Sequence, residues 1–126
     1  MRLTICVSAA LILGVAAVPA AAKPAAFQLN KTSWTYVDPD QKVKARESID
    51  SDGNYIENAL SGKHIDHGTA VMKDGKACFT SAMSKDGEMC WTVHTVAVGH
   101  SMVAKNDKGR TLKVTRVAYT PMSMPK

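Results

Sequence analysis

Beyond residue 22 the chain is cut by polar, glycine-bearing turns at a nearly constant interval, and that rhythm limits what it can fold into. The turns are Asp50-Ser51-Asp52-Gly53, Ser61-Gly62-Lys63, Lys73-Asp74-Gly75-Lys76, Ser84-Lys85-Asp86-Gly87 and Lys105-Asn106-Asp107-Lys108-Gly109. Between them lie short runs rich in Val, Thr and aromatic residues, and no stretch of eleven residues repeats apolar side chains at helical spacing. Such a pattern is that of an antiparallel all-β domain. We expect strands near 32–37, 43–49, 54–60, 64–72, 76–82, 88–96, 99–104 and 110–119, a meander of seven or eight strands forming a small barrel or a sandwich over 32–119. A leader over 23–31 precedes it, and a loose tail with Pro121 and Pro125 follows over 120–126.

The turns also set registers. Asp74-Gly75 suits a two-residue type I′ loop, which pairs Met72 with Ala77, Val71 with Cys78 and Ala70 with Phe79. Asp50 to Gly53 suits a type I turn, which sets Val43 opposite Leu60 and Arg46 opposite Glu57. Cys78 and Cys90 are equidistant from Ser84, so a symmetric hairpin places them face to face at disulfide range. The same register puts Phe79 opposite Met89 and Ala77 opposite Trp91, and these residues with Met72 form one side of the expected core.

Residues 1–22 read as a secretory signal peptide: Arg2, the apolar run Leu3 to Val18, the breaker Pro19, and small residues up to a cleavage point after Ala22. The apolar run is short and alanine-rich for a membrane span. The expected location is therefore periplasmic or secreted, which also permits the disulfide. Removing the peptide leaves 104 residues, a net charge of +4, about 38% apolar residues and only 17 Leu, Ile, Val and Phe. That is a thin core for a chain of this size, so the disulfide is expected to matter. It also speaks against a roomy apolar cavity.

The chemical motifs are weak. Lys63-His64-Ile65-Asp66-His67-Gly68 invites comparison with a His-x-His-x-Asp-His zinc signature, but Gly62 stands where the first histidine belongs. On a regular strand His64 and Asp66 share a face and His67 takes the other. A copper reading adds the thioethers and imidazole of Met122, Met124, Met102 and His100 to His64 and Asp66, since soft ligands select Cu(I). The simpler accounts are solvated strand-end histidines and gap-filling methionines. Asp50, Asp52 and Asn54 begin like a calcium loop, yet Gly53 stands fourth rather than sixth and Ser61 occupies the twelfth place. No Gly-x-Ser-x-Gly elbow occurs, the cysteines are committed to each other, and no carboxylate pair is expected on one strand face in an aromatic cleft. No catalytic residues and no cofactor are assigned, and the chain is expected to be non-enzymatic. Lys42, Lys44 and Arg46 on one strand and Arg110, Lys113 and Arg116 on another suggest a basic face. Export and the lack of interleaved aromatics argue against nucleic acid, leaving an envelope protein or an anionic surface as the partner.

Gly53-Asn54-Tyr55, Gly68-Thr69, Gly75-Lys76-Ala77-Cys78-Phe79 and Gly87-Glu88-Met89-Cys90-Trp91 resemble the marks of small exported proteins of Alphaproteobacteria, of sphingomonads especially, which have no assigned activity. The resemblance covers about forty residues and implies an exported β domain with a hairpin disulfide. Those proteins commonly carry Trp after the central Gly-Thr, where this chain has Ala70. The strand rhythm is also similar to that of lipocalin-like barrels and of periplasmic lysozyme inhibitors. The Ser-Gly-x-x-Tyr loop of those inhibitors is not matched, because Ser61-Gly62-Lys63-His64 is followed by Ile65. The expected role is an exported binding or envelope-associated module, with a copper-binding protein or a hydrolase inhibitor as alternatives.

Overall fold

The structure is a computed structural model that describes residues 14–20 and 27–125. Most of the expected signal peptide and its cleavage point lie outside the described residues. Eight strands follow in order: β1 (Thr32–Val37), β2 (Lys44–Ile49), β3 (Asn54–Ala59), β4 (His64–Lys73), β5 (Lys76–Ser81), β6 (Glu88–Thr92), β7 (Ser101–Asn106) and β8 (Thr111–Val117). Each pairs antiparallel with its sequence neighbours, β8 pairs with β1, and the sheet closes as a meander barrel. Closure removes the free edges that an open sheet leaves exposed.

The Asp74-Gly75 hairpin has the expected form. Both residues have positive φ, 50° and 75°, and β4 and β5 pair Met72 with Ala77, Val71 with Cys78 and Ala70 with Phe79. Cys78 and Cys90 stand opposite each other and are bonded, with a Cα–Cα distance of 4.0 Å. Phe79 faces Met89 and Ala77 faces Trp91, as expected. With Met72 they point into the barrel, away from the disulfide, but Phe79, Met89, Trp91 and Met72 are only half-buried.

The β2–β3 hairpin differs by one residue. Asp50 accepts the Gly53 amide at its carbonyl, and its Oδ1 accepts the Asp52 and Asn54 amides, each at 2.9 Å. Gly53 sits at φ 86° as an extra loop residue, the type I turn plus bulge form of a hairpin. Ile49 therefore meets Tyr55, Arg46 meets Asn58, and Glu47 meets Glu57. The expected pairings of Arg46 with Glu57 and of Val43 with Leu60 do not form. These same bonds occupy Asp50, so the calcium-loop likeness is a turn.

Leu29, Trp34, Ile49, Tyr55, Ala70, Ala77, Met102 and Val114 form the buried cluster, with Phe27 packed on it. Phe27 meets Trp34 edge to face at 6.1 Å. The end of the leader thus enters the core. The expected loose tail begins anchored: the Ser48 hydroxyl donates to the Thr120 carbonyl at 2.8 Å, and the Thr120 amide donates to Ser33 Oγ at 3.1 Å. The basic face does not assemble, because Arg116 is in register with the inward-facing Trp34, Arg46 with Thr35 on the other side of the sheet, and Arg110 lines the lumen. Arg110 is paired with Asp40, and Arg116 donates to the Val96 carbonyl and lies 6.0 Å from the Trp34 ring.

Candidate functional site: an acidic row in the barrel lumen

The alternation of β-strand side chains sends every second residue inward. Inward residues surround a cavity of about 500 Å3. Asp38 and Asp40 of the β1–β2 connection, Asp86 of the β5–β6 connection, and Lys108 and Arg110 of the β7–β8 connection line it too, so its mouth lies at that end of the barrel. The lumen is roomy where a filled interior was expected.

One wall of the cavity is acidic. The shifted β2–β3 register and the β3–β4 pairing place Trp34, Glu47, Glu57 and Asp66 side by side across four strands. Three carboxylates in neighbouring positions on one face of a sheet repel one another. The two outer ones are relieved by hydroxyl donors. The Tyr36 hydroxyl donates to Glu47 Oε2 at 3.0 Å, and Asp66 accepts from the Tyr55 hydroxyl at 2.8 Å and the Ser81 hydroxyl at 2.6 Å. The middle one is relieved only in part, by the nearby Tyr36 hydroxyl: Glu57 is 7% exposed, and its Oε1 is buried without a hydrogen-bond partner. Asp38, also buried, is occupied at its Oδ1 by the Asp40 and Gln41 amides of its own turn.

The electrostatics follow from this placement. Burial, reinforced by the Glu47 and Asp38 charges, pushes the Glu57 carboxyl up to about 8. Burial raises Glu47 to about 7, the Tyr36 hydrogen bond working against the shift and the Asp66 charge adding to it. Tyr36 and Tyr55 are raised well above the ordinary phenol value, first by burial and then by the adjacent carboxylates, so both remain hydroxyl donors.

The opposite wall is apolar, with Phe79, Met89, Trp91, Met102, Leu112 and Val114 facing the space. Tyr55 and Phe79 join the two walls edge to face at 5.4 Å. Nothing in composition or motif marks this site. The signal that finds it is the alternation of Glu47, Glu57 and Asp66 with outward residues, combined with the correct turn type at Gly53.

The candidate metal ligands are dispersed. A bulge between Glu57 and Asn58 pairs Asn58 with His64 and Glu57 with Asp66, so Ile65 is the extra residue. His64 is thereby turned away from Asp66, and its Nδ1 lies 2.7 Å from Asn58 Oδ1 and its Nε2 3.0 Å from His67 Nδ1. The expected shared face of His64 and Asp66 is replaced by a His64–His67 pair, while Asp66 points into the lumen. Met102 is buried in the lumen wall, with its Sδ 3.5 Å from the His94 amide. His100 is exposed in the turn before β7. Met122 lies in an outer crevice with Ser48, Ile56 and Tyr119, and Met124 is exposed. Among the described residues, the one group of three His, Cys, Asp or Glu side chains with converging ligand atoms is Cys78, Glu88 and Cys90. Two of those are spent in the disulfide.

Comparison with known proteins returns no matching family model, no similar curated protein and no matching solved structure. The fold and the lumen therefore define the class by themselves: an eight-stranded antiparallel barrel with an open interior and an acidic wall.

Proposed function

We propose that this protein is an exported, non-enzymatic binding barrel that holds a small molecule in its lumen, in the periplasm or outside the cell. The observation that carries the reading is a cavity of about 500 Å3 with a mouth formed by loops, one apolar wall and a few polar groups gathered on the other. Ligand sites of small-molecule proteins combine those elements at this size. Export rests on the signal sequence in residues 1–22, and a disulfide suits an oxidising compartment. The row sets carboxylates side by side on one face of an aromatic-lined cleft, where the sequence led us to expect no such pair. Binding is favoured over catalysis because these carboxylates stand as neighbours along one wall, whereas the acid and nucleophile of glycoside hydrolysis flank the bond they cleave.

Two measurements test the reading. Titration with the neutral apolar dye N-phenyl-1-naphthylamine should give a saturable fluorescence rise at one dye per barrel. Ala104→Phe, which places a ring into the lumen, should abolish it while the fold is retained by circular dichroism. A wild-type protein that gives no saturable rise refutes lumen binding. Protein recovered from the producing cells should begin at Lys23, and retention of residues 1–22 refutes export in the form stated here.

A further inference from the structure

We propose that the lumen selects organic cations, lodging a protonated amine against Glu47, Glu57 and Asp66 while the apolar body of the ligand lies against Phe79 and Trp91. This rests on the small-molecule reading above and names the ligand class for the same cavity.

Three observations converge on it. The first is the orphaned acceptor. Glu57 lines the cavity, is more than nine-tenths buried, and has an oxygen with no donor. A buried, unpaired polar atom is uncommon enough to need an explanation, and here the natural donor is one supplied from the cavity. The second is charge. Glu57 is faced by Glu47 from β2, by Asp66 from β4, by the Tyr36 hydroxyl from β1, by Tyr55 of its own strand, and by Asp38 from the β1–β2 connection. None of these carries a positive charge. The ion pairs among the described residues are Lys73–Glu88, Lys76–Asp107 and Arg110–Asp40, and none of them touches the row. At the mouth, Arg110 is held by Asp40 and leaves Lys108 as the other basic group lining the cavity. Arg116 stands in register beyond Trp34, with its guanidinium over that ring and donating to the Val96 carbonyl. A cation entering the lumen would therefore meet several acceptors, with the nearest basic group of that row on the far side of Trp34.

The third observation decides what kind of cation. Calcium or magnesium takes about six or more oxygens converging at roughly 2.0–2.6 Å. Among the described residues no three carboxylates bring ligand atoms within 4.8 Å of one another. The row is spread along three strands and suits a group that donates several separate hydrogen bonds. An alkylammonium has three donors on one nitrogen. Its positive charge is also attracted to aromatic faces, and Tyr36 and Tyr55 stand beside the row. Binding has a proton balance. Near neutral pH the empty row retains a proton on the Glu47–Glu57 pair. The arriving ammonium favours the ionised carboxylate, and that proton passes to solvent.

The test uses one body carrying three head groups: 4-phenylbutylamine, 4-phenylbutanol and 4-phenylbutyrate. Each is titrated calorimetrically into the protein at pH 6, 7.5 and 9, with calcium chloride alone as a further titrant. The amine should bind at least about tenfold more tightly than the alcohol at pH 9, and its advantage should shrink toward pH 6 as Glu57 and Glu47 take up protons. Glu57→Gln should reduce the amine-to-alcohol affinity ratio, both measured on the variant, to within about twofold of one, a change of selectivity that a merely structural role would not produce. Equal or tighter binding of the alcohol or the butyrate, or an amine advantage that survives Glu57→Gln, overturns the cation inference and leaves lumen binding standing. Saturable calcium binding that displaces the amine overturns it in favour of a metal. If neither these three compounds nor the neutral dye binds, the lumen reading itself fails.

Discussion

Replacing Glu57 with Gln should stabilise the protein in alkaline solution and have little effect in acid. The native carboxyl is raised from an ordinary 4.5 to about 8, first by burial and then by Glu47 and Asp38. Between those two values the folded chain holds a proton that the unfolded chain has released. Stability therefore falls as pH rises through that window and levels off above it. At about 1.4 kcal/mol for each pH unit, the full span would be about 5 kcal/mol. Part of this is shared with Glu47, because either carboxyl of the pair is easier to ionise while the other is neutral. Water in the open lumen screens more of it, and we expect about 2–3 kcal/mol from the single substitution. Glutamine has the shape and neutrality of the protonated acid, so it imitates the native state at low pH.

Urea unfolding followed through Trp34 and Trp91 measures the difference. At pH 5 the wild type and Glu57→Gln should agree within about 0.5 kcal/mol, the ordinary range for a substitution that changes no contact. At pH 8.5 the variant should be ahead by about 2–3 kcal/mol, or on the order of 10–15 °C in thermal midpoint for a domain of this size. The wild type should itself be more stable at pH 5 than at pH 8.5. Asp50, whose carboxyl is lowered mainly by Asn54, acts in the opposite sense, but only at pH values below its ordinary 3.8. A wild type that gains stability toward pH 8.5, or a variant that gains nothing there, would show that Glu57 is not the buried, uncompensated acid described above.

Three other perturbations test the frame around the site. In Gly68→Ala the new Cβ would run into the Thr80 carbonyl of the paired strand, and a loss of about 2–3 kcal/mol should appear as a lower urea midpoint. Cys78→Ser with Cys90→Ser should cost about 2–3 kcal/mol by freeing the unfolded chain. The paired register of β6 with β7 holds only two residue pairs, so hydrogen exchange in the double variant should rise first in Glu88–Thr92. Asp50→Ala removes the acceptor of the Asp52 and Asn54 amides and should cost about 1 kcal/mol in the same unfolding assay.

The outline of the barrel was legible because turn chemistry is local. Asp74-Gly75 encodes its own φ values, and equal spacing about Ser84 brings Cys78 and Cys90 together whatever the rest of the sheet does. The acidic row was hidden by a single residue. Read as a simple four-residue turn, Asp50 to Gly53 sets Arg46 against Glu57, an unremarkable surface ion pair. With Gly53 as a bulge, Glu47 meets Glu57 inside the barrel. The two turns share a sequence and differ in whether Asn54 closes the loop through Asp50 Oδ1. His64 was misplaced for the same kind of reason. The extra residue Ile65 reverses the alternation, and sequence period alone does not locate a bulge. In a sheet, one inserted residue moves every later side chain to the other face, so small errors of register become large errors of chemistry.

The thin core also has a different meaning in a closed barrel. Of the 17 Leu, Ile, Val and Phe beyond residue 22, Val37, Val43, Leu60, Val71, Val98 and Val103 are exposed, which leaves the interior poorer still. In a two-layer sandwich the sheets would close on one another to fill the gap. In a barrel the strand number and stagger fix the diameter, so small inward side chains leave space. Ala45, Ala59, Ala70, Ala77 and Ala104 are all buried there, on strands whose ladders and disulfide hold the wall without needing a filled centre. Ala104→Phe separates these roles. Filling part of the lumen should leave stability unchanged or raise it by about 0.5–2 kcal/mol, as cavity-filling substitutions do, while it removes dye binding. A variant that loses both binding and more than about 2 kcal/mol would mean that the interior is packed rather than open, and that the alanines are fitted to their neighbours. A variant that keeps its stability and loses its ligand would place the scarcity of apolar residues on the side of function.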